Sequence, residues 1–257
     1  MQRSERQKVI IRAVDSGRRT IDELAELTGV SPISIRRDLA ELAEQGAVQR
    51  IRGGAAPVVS RGSEYPFGLR TSEDTEVKRT LARHAASLIQ PGDAVLIDNG
   101  TTALAVAREL AGLGITALAL SLHAAAALAA KPGNEVVVPG GTVGHDDLSF
   151  TDAGAADAVR AMRFDIAIIG ACAADPDTGL TVATWGDAQV KKAALASSRH
   201  VVLVATADKF GRTAAHRFGT LDDVDTIITT SDAPPALVHD ARAAGIELVL
   251  LDPAQAS

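Results

Sequence analysis

From residue 75 onward, short apolar runs alternate with segments whose apolar residues recur at helical spacing. Seven runs read as strands, at residues 94–98, 115–121, 135–138, 165–169, 201–205, 226–230 and 247–251. Helical patterns lie between them at 102–111, 124–130, 153–162, 186–197 and 235–244, with another ahead of the first strand at 75–89. Runs without a polar face need cover on both sides, and strand–helix–strand alternation makes successive strands parallel. The pattern predicts an α/β domain built on a mostly parallel sheet. Ligands in such sheets bind at the carboxyl ends of the strands.

The first sixty residues follow a different logic. Val9, Ile10, Ala13 and Val14 fall at helical spacing in a first helix that Gly17 ends. Thr20-Ile-Asp-Glu23 has the form of a capping box. It opens a second helix to Thr28, with Leu24, Ala25 and Leu27 expected inward. Gly29 permits a tight turn. Ser31 then caps a third helix over residues 32–45, with Pro32 at its first position, where the missing N–H costs nothing. Gly46 is placed to supply a left-handed stop. Two short helices joined by a glycine turn describe a helix-turn-helix.

The third helix shows which side is free. At about 100° per residue, Ile35, Leu39, Leu42 and Ala43 share one face, and Arg37 lies about 200° from Ile35. Ile33, Ser34 and Arg36 flank that open side. Val48 and Ile51 then alternate with Arg50 and Arg52 before Gly53-Gly54 turns the chain, the pattern of a hairpin wing aimed at phosphates. An isolated Arg-Arg pair is ordinarily a solvated helix face. Four features in register make this one a groove reader. The expected partner is double-stranded operator DNA, met by Thr20, Ser31, Pro32, Ile33, Ser34, Arg36, Arg37, Arg50 and Arg52.

Charge follows the same division. The chain carries a net −6, yet residues 1–60 hold 10 Lys/Arg against 8 Asp/Glu. An acidic body on a mildly basic N-terminal piece leaves only that piece suited to a polyanion. One cysteine, Cys172, removes any disulfide framework or cysteine-based zinc cluster, and reads as a small apolar side chain. The longest uncharged run, residues 110–130, is interrupted by Gly112, Gly114, Ser121 and His123 and reads as strand plus helix, not a membrane span. The start lacks the apolar stretch of a signal peptide. A cytoplasmic protein is expected.

Several strand ends carry small polar loops. Asp98-Asn-Gly-Thr-Thr102 leads from a strand into a helix, where backbone N–H groups and two hydroxyls can cradle a phosphate. A plain turn with a threonine cap is an equal reading of that loop alone. The glycine-rich loop at 139–144, containing Gly140 and Gly141, lacks the Lys-Ser/Thr of a nucleotide-binding loop. Lys191, Lys192 and Lys209 are candidate cations for a bound anion, although a single lysine is ordinarily solvated.

The motifs also resemble a family. Val30-Ser-Pro-Ile-Ser-Ile-Arg-Arg-Asp-Leu39 and Gln49-Arg-Ile-Arg-Gly-Gly-Ala55 resemble the recognition helix and wing signature of the deoxyribose-operon repressor (DeoR) family, with Ser34 in place of Thr and Arg52 in place of His. Asp98–Thr102 is similar to that family's DSGTT loop and 138–141 to its LGG loop. Residues 188–192 and 208–211 resemble its EA-VKR and SKFG elements. Departures fall at residues 120–123, Thr206 and Thr230. The resemblance implies a winged helix-turn-helix at residues 1–56, a linker at 57–74, and a sugar-phosphate sensor at 75–257 sharing its fold with ribose-5-phosphate isomerase. It implies a repressor of carbohydrate genes, released by a phosphorylated sugar held at Asp98, Asn99, Gly100, Thr101, Thr102, Gly140, Gly141, Lys191, Lys192 and Lys209.

Two other functions are weighed beside this one. An isomerase-like enzyme needs carboxylates placed for proton transfer, and Ile169-Gly-Ala-Cys172 lacks the two acids of the related isomerase loop. His145-Asp-Asp147 is the one metal candidate and reads as a solvated loop. No metal, cofactor or catalytic residue is therefore expected. A second alternative leaves the α/β domain only an oligomerising role. Palindromic operators favour a homodimer or homotetramer.

Overall fold

A computed structural model describes residues 3–15, 17–44, 47–57 and 67–252 of the chain. The chain divides into two compact units, Met1–Glu73 and Asp74–Ser257.

In the first unit, α1 (Arg3–Asp15), β1 (Arg19–Thr20), α2 (Ile21–Thr28) and α3 (Pro32–Glu44) precede the hairpin β2 (Gln49–Ile51) and β3 (Gly54–Ala56). A short helix, α4 (Phe67–Ser72), closes the unit. Ile10, Val14, Leu24, Ile35, Leu39 and Leu42 form its core with Val48 and Ala55. The three strands pair in the order β1-β3-β2, all antiparallel. One expected inward position is corrected. Leu27 is exposed because the buried face of α2 centres between Leu24 and Thr28, about 80° away round the helix. Ile51 is exposed because β2 is an edge strand whose three residues all face solvent. Part of the expected linker is helical: Leu69 packs against the core and Lys8 Nζ donates to the Ser72 carbonyl at 3.0 Å. Six residues are too few to show a helical period. The expected stop at Gly46 falls outside the described residues.

The second unit opens with α5 (Thr75–Ser87), β4 (Ala94–Ile97), α6 (Thr101–Glu109), β5 (Thr116–Ala119), α7 (Leu122–Leu128) and β6 (Glu135–Val137). It continues with α8 (Ala153–Ala161), β7 (Phe164–Ile169), β8 (Ala173–Asp175), β9 (Gly179–Val182), α9 (Trp185–Ser197) and β10 (Ser198–Val204). Last come β11 (His216–Gly219), β12 (Thr226–Thr230), α10 (Pro235–Ala243) and β13 (Glu247–Leu251). Seven strands form one sheet in the order β13-β12-β10-β7-β4-β5-β6, and every pairing in it is parallel.

Side chains alternate across this sheet with period two. Val95, Ile97, Ile166 and Ile168 face a core with Leu81, Val106, Leu110 and Leu128. Leu96, Ala167 and Ile169 face the other, with Phe150, Val159, Ala188 and Phe218. The seven strands and the helices lie where the hydrophobic periods put them. A separate antiparallel sheet, β11-β9-β8, was not visible in the sequence. Its strands are three or four residues long and interrupted by Asp175-Pro-Asp-Thr178. Because β4 lies between β7 and β5, the loops at residues 98–102, 120–123 and 170–172 emerge side by side.

Candidate DNA interface and candidate effector loop

The N-terminal surface is built by capping. Glu23 N donates to Thr20 Oγ1 at 3.2 Å, and Thr20 N donates to Glu23 Oε2 at 2.7 Å. The Thr20 backbone N–H, and then its hydroxyl, which donates to the same Oε2 at 3.0 Å, hold the Glu23 carboxyl below the ordinary range. Thr20 therefore closes α2. Gly29 takes φ 69° and turns the chain into α3. There Ser34 N donates to Ser31 Oγ at 3.3 Å, and the two hydroxyls are 3.1 Å apart. Pro32, Ile33, Arg36 and Arg37 are exposed, while Ile35 on the opposite face is fully buried.

One residue of this motif escaped the sequence reading. Asp38 is buried on the core side of α3 and accepts from Arg6 Nε at 2.6 Å and Arg6 Nη2 at 3.3 Å. The bond raises the Arg6 guanidinium above its ordinary value. Arg3 pairs with Glu41, which Gln7 Nε2 also meets at 3.2 Å. Two acids on α3 thus bind α1, which fixes the back of the recognition helix while its arginines stay outward. The 32-residue separation gave no local signal.

The wing has a steric cause. Gly53 adopts φ 81° at the hairpin tip, and its carbonyl accepts from Ile21 N at 2.9 Å. A Cβ at Gly54 would stand 2.0 Å from the Arg19 carbonyl oxygen, so only glycine lets β3 meet β1. Arg50 and Arg52 project from this hairpin, exposed to solvent. In sum, two cation pairs lie on one small unit whose caps and core face elsewhere.

At the carboxyl end of β4, Asp98 is buried and accepts from Gly170 N at 2.7 Å and from Lys191 Nζ. Lys191 Nζ also donates to the Gly170 carbonyl at 3.2 Å and lies 3.8 Å from Asp187. Burial alone would lower this ammonium, but Asp187 and Asp98 outweigh it and hold it above the ordinary lysine value. Asn99 Nδ2 donates to Asp187 Oδ1 at 3.2 Å. The root of the loop is therefore locked to β7 and α9, and Lys191 reaches the loop from below through Asp98. Asp98 Oδ1 is buried without a hydrogen-bond partner.

The tip of the loop is open. Gly100 is the N-cap of α6 in an extended conformation that any residue adopts, and no side chain caps this helix. A Cβ on Gly100 would meet nothing within 4 Å. Thr101 is buried and Thr102 half-buried. The other expected residues are placed differently. Gly141 adopts φ 88°, and a Cβ there would strike Asp152 Oδ2 at 2.3 Å. Asp152 accepts from Thr142 N and Ala155 N, which lowers its carboxyl and fastens Gly140-Gly141 to the start of α8. This loop follows β6, two strands from β4, or about 10 Å across the sheet. Lys192 is exposed, with its ammonium 5.8 Å from the centre of the Trp185 ring. Lys209 is half-buried at the end of a 3-10 turn after β10. Cys172 packs partly against the sheet core. Among the described residues no group of three or more His, Cys, Asp or Glu is arranged for a metal, and no helix is long and apolar enough to cross a membrane.

Comparison with known proteins decides the class. Residues 6–61 match the DeoR-like helix-turn-helix domain, and residues 73–231 match the DeoR C-terminal sensor domain. The chain belongs to the DeoR family of transcriptional regulators. It is 35% identical over 237 residues to the glycerol-3-phosphate regulon repressor of Escherichia coli, covering 91% of this chain and 93% of that one. It is 35% identical to the protein of that name in Haemophilus influenzae, covering 97% and 98%. A regulator named GlpR from Haloferax volcanii is 32% identical, with 96% and 97% covered. These relatives are named as regulators, not enzymes. Ribose-5-phosphate isomerase A of Methanocaldococcus jannaschii is 20% identical over 54% of this chain and 55% of its own, with a TM-score of 0.38, a level that bears on no chemistry. This DeoR-family chain is thus a DNA-binding transcriptional regulator.

Proposed function

We propose that this DeoR-family protein is a cytoplasmic repressor of carbohydrate genes that leaves its operator when a phosphorylated sugar binds the Asn99–Thr102 loop. Residues 1–56 act as the DNA-binding domain, residues 57–74 as the connection, and residues 75–257 as the sensor. Arg36 and Arg37 enter the major groove, and Arg50 and Arg52 meet phosphates from the wing. A homodimer or homotetramer matches a palindromic site.

The observation that carries the effector reading is the start of α6. It has no capping side chain, and a Cβ on Gly100 would meet nothing within 4 Å beyond its own chain neighbours. Open backbone N–H groups at a helix start favour an anion. Lys192 and Lys209 are the remaining cations proposed for the ligand, and Lys191 supports the loop through Asp98. The dianion must bind better to a conformation of poorer operator affinity, because a ligand shifts an equilibrium only through differential affinity.

The test is release from DNA. Protein bound to fluorescent operator is titrated with sugar phosphates and followed by anisotropy. Wild type is expected to dissociate with at least one of them. Gly100→Val fills the open space and is expected to hold DNA normally without responding. Identical responses from the two proteins would show that the loop is not the sensor. Thermal shifts with the same compounds separate this reading from a purely oligomerising domain.

A further inference from the structure

The outward face of α3 carries a large apolar side chain that charge and hydrogen bonding do not account for. Ile33 is 72% exposed, whereas Ile35 two residues later is fully buried. Ser31 and Ser34 are occupied with each other at the start of α3, and Pro32 has no N–H to give. The long side chains that project from the first two turns are therefore Ile33, Arg36 and Arg37. Ile33 and Arg37 lie about 40° apart around the helix, one turn from each other, and Arg36 lies about 60° from Ile33. One ridge thus places a branched aliphatic group beside two guanidinium groups.

In the major groove only thymine presents a methyl group, and an apolar side chain recognises it. Arginine instead reads the O6 and N7 of guanine. We propose that Ile33 is a specificity residue that packs on the 5-methyl of a thymine in each operator half-site. Four helical residues advance about 6 Å, and stacked bases are about 3.4 Å apart. The thymine therefore lies one or two base pairs from the base pair met by Arg37. This inference rests on the DNA-binding reading of α3.

The experiment uses the full chain. A preferred duplex is selected from a random library, and each thymine in it is replaced singly by uracil, which removes only the methyl. Binding is measured for wild type, Ile33→Ala and Ile33→Val. One thymine per half-site is expected to weaken wild-type binding about three- to five-fold when replaced, the factor for one buried methyl group. Ile33→Ala should be indifferent to that replacement, and Ile33→Val should retain most of the dependence. Non-specific binding and circular dichroism should match wild type in both variants, since the side chain is outside the core. A preferred duplex whose uracil scan is the same for wild type and Ile33→Ala overturns this inference and leaves the DNA-binding reading intact. Failure to select any preferred duplex overturns both.

Discussion

Lys191→Met tests the buried cluster beneath the effector loop. The Lys191 and Asp98 side chains are 3% and 1% exposed, so solvent does little to screen them. Removing the ammonium leaves the Asp98 carboxylate with Gly170 N and no cation in contact. Breaking one side of a buried pair costs about 3–5 kcal/mol. For a unit spanning residues 74–257, this corresponds to a melting shift of about 6–20 °C. The double variant Asp98→Asn/Lys191→Met removes both charges and should recover to within about 1 kcal/mol of wild type. Urea unfolding followed by Trp185 fluorescence reads this directly, because the only tryptophan of the chain lies in this unit. The pH dependence has a definite sign. Lys191 is held above the ordinary lysine value of 10.5, so its contribution is complete below that pH and is lost as the pH rises through the folded value. Wild type should lose stability above about pH 10.5 by a component that the double variant lacks. A single variant within 1 kcal/mol of wild type, or a double variant no better than the single, would refute the buried-pair argument.

The first unit offers independent checks. Asp38→Ala strips Arg6 of both its hydrogen bonds and should destabilise residues 1–73 by about 2 kcal/mol while leaving the second unit's transition unmoved; a single shared transition would contradict this. Gly54→Ala drives a methyl into the Arg19 carbonyl and should cost about 1–3 kcal/mol by circular dichroism, with lower operator affinity from a displaced wing. Arg37→Ala should lose about 1–3 kcal/mol of operator binding without loss of fold, and Arg50→Ala should weaken all DNA and reduce the salt slope by about one. Unchanged affinity in both arginine variants would remove the recognition surface as drawn.

The sequence alone determined the features that depend on local chemistry. The seven strands of the parallel sheet and the helices around it follow from hydrophobic period, because an element must bury the face its pattern defines. Thr20/Glu23 and Ser31/Ser34 act three residues apart, so caps and the outward set of Ile33, Arg36 and Arg37 were legible from spacing. The opening of α6 after Gly100 was legible from the helical period that follows it, with no cap to mark it. Only the tertiary structure decided what joins distant residues. Asp38 meets Arg6 across 32 residues, and Lys191 meets Asp98 across 93. Lys191 read as a cation for a ligand, and the fold instead gives its charge to a buried carboxylate. Gly54 and Gly141 looked like turn or ligand glycines; their need for space comes from Arg19 and Asp152 on other elements. The order of strands in the sheet set the distance between the loops after β4 and β6. Pairing across tens of residues is a property of packing, and no local spacing records it.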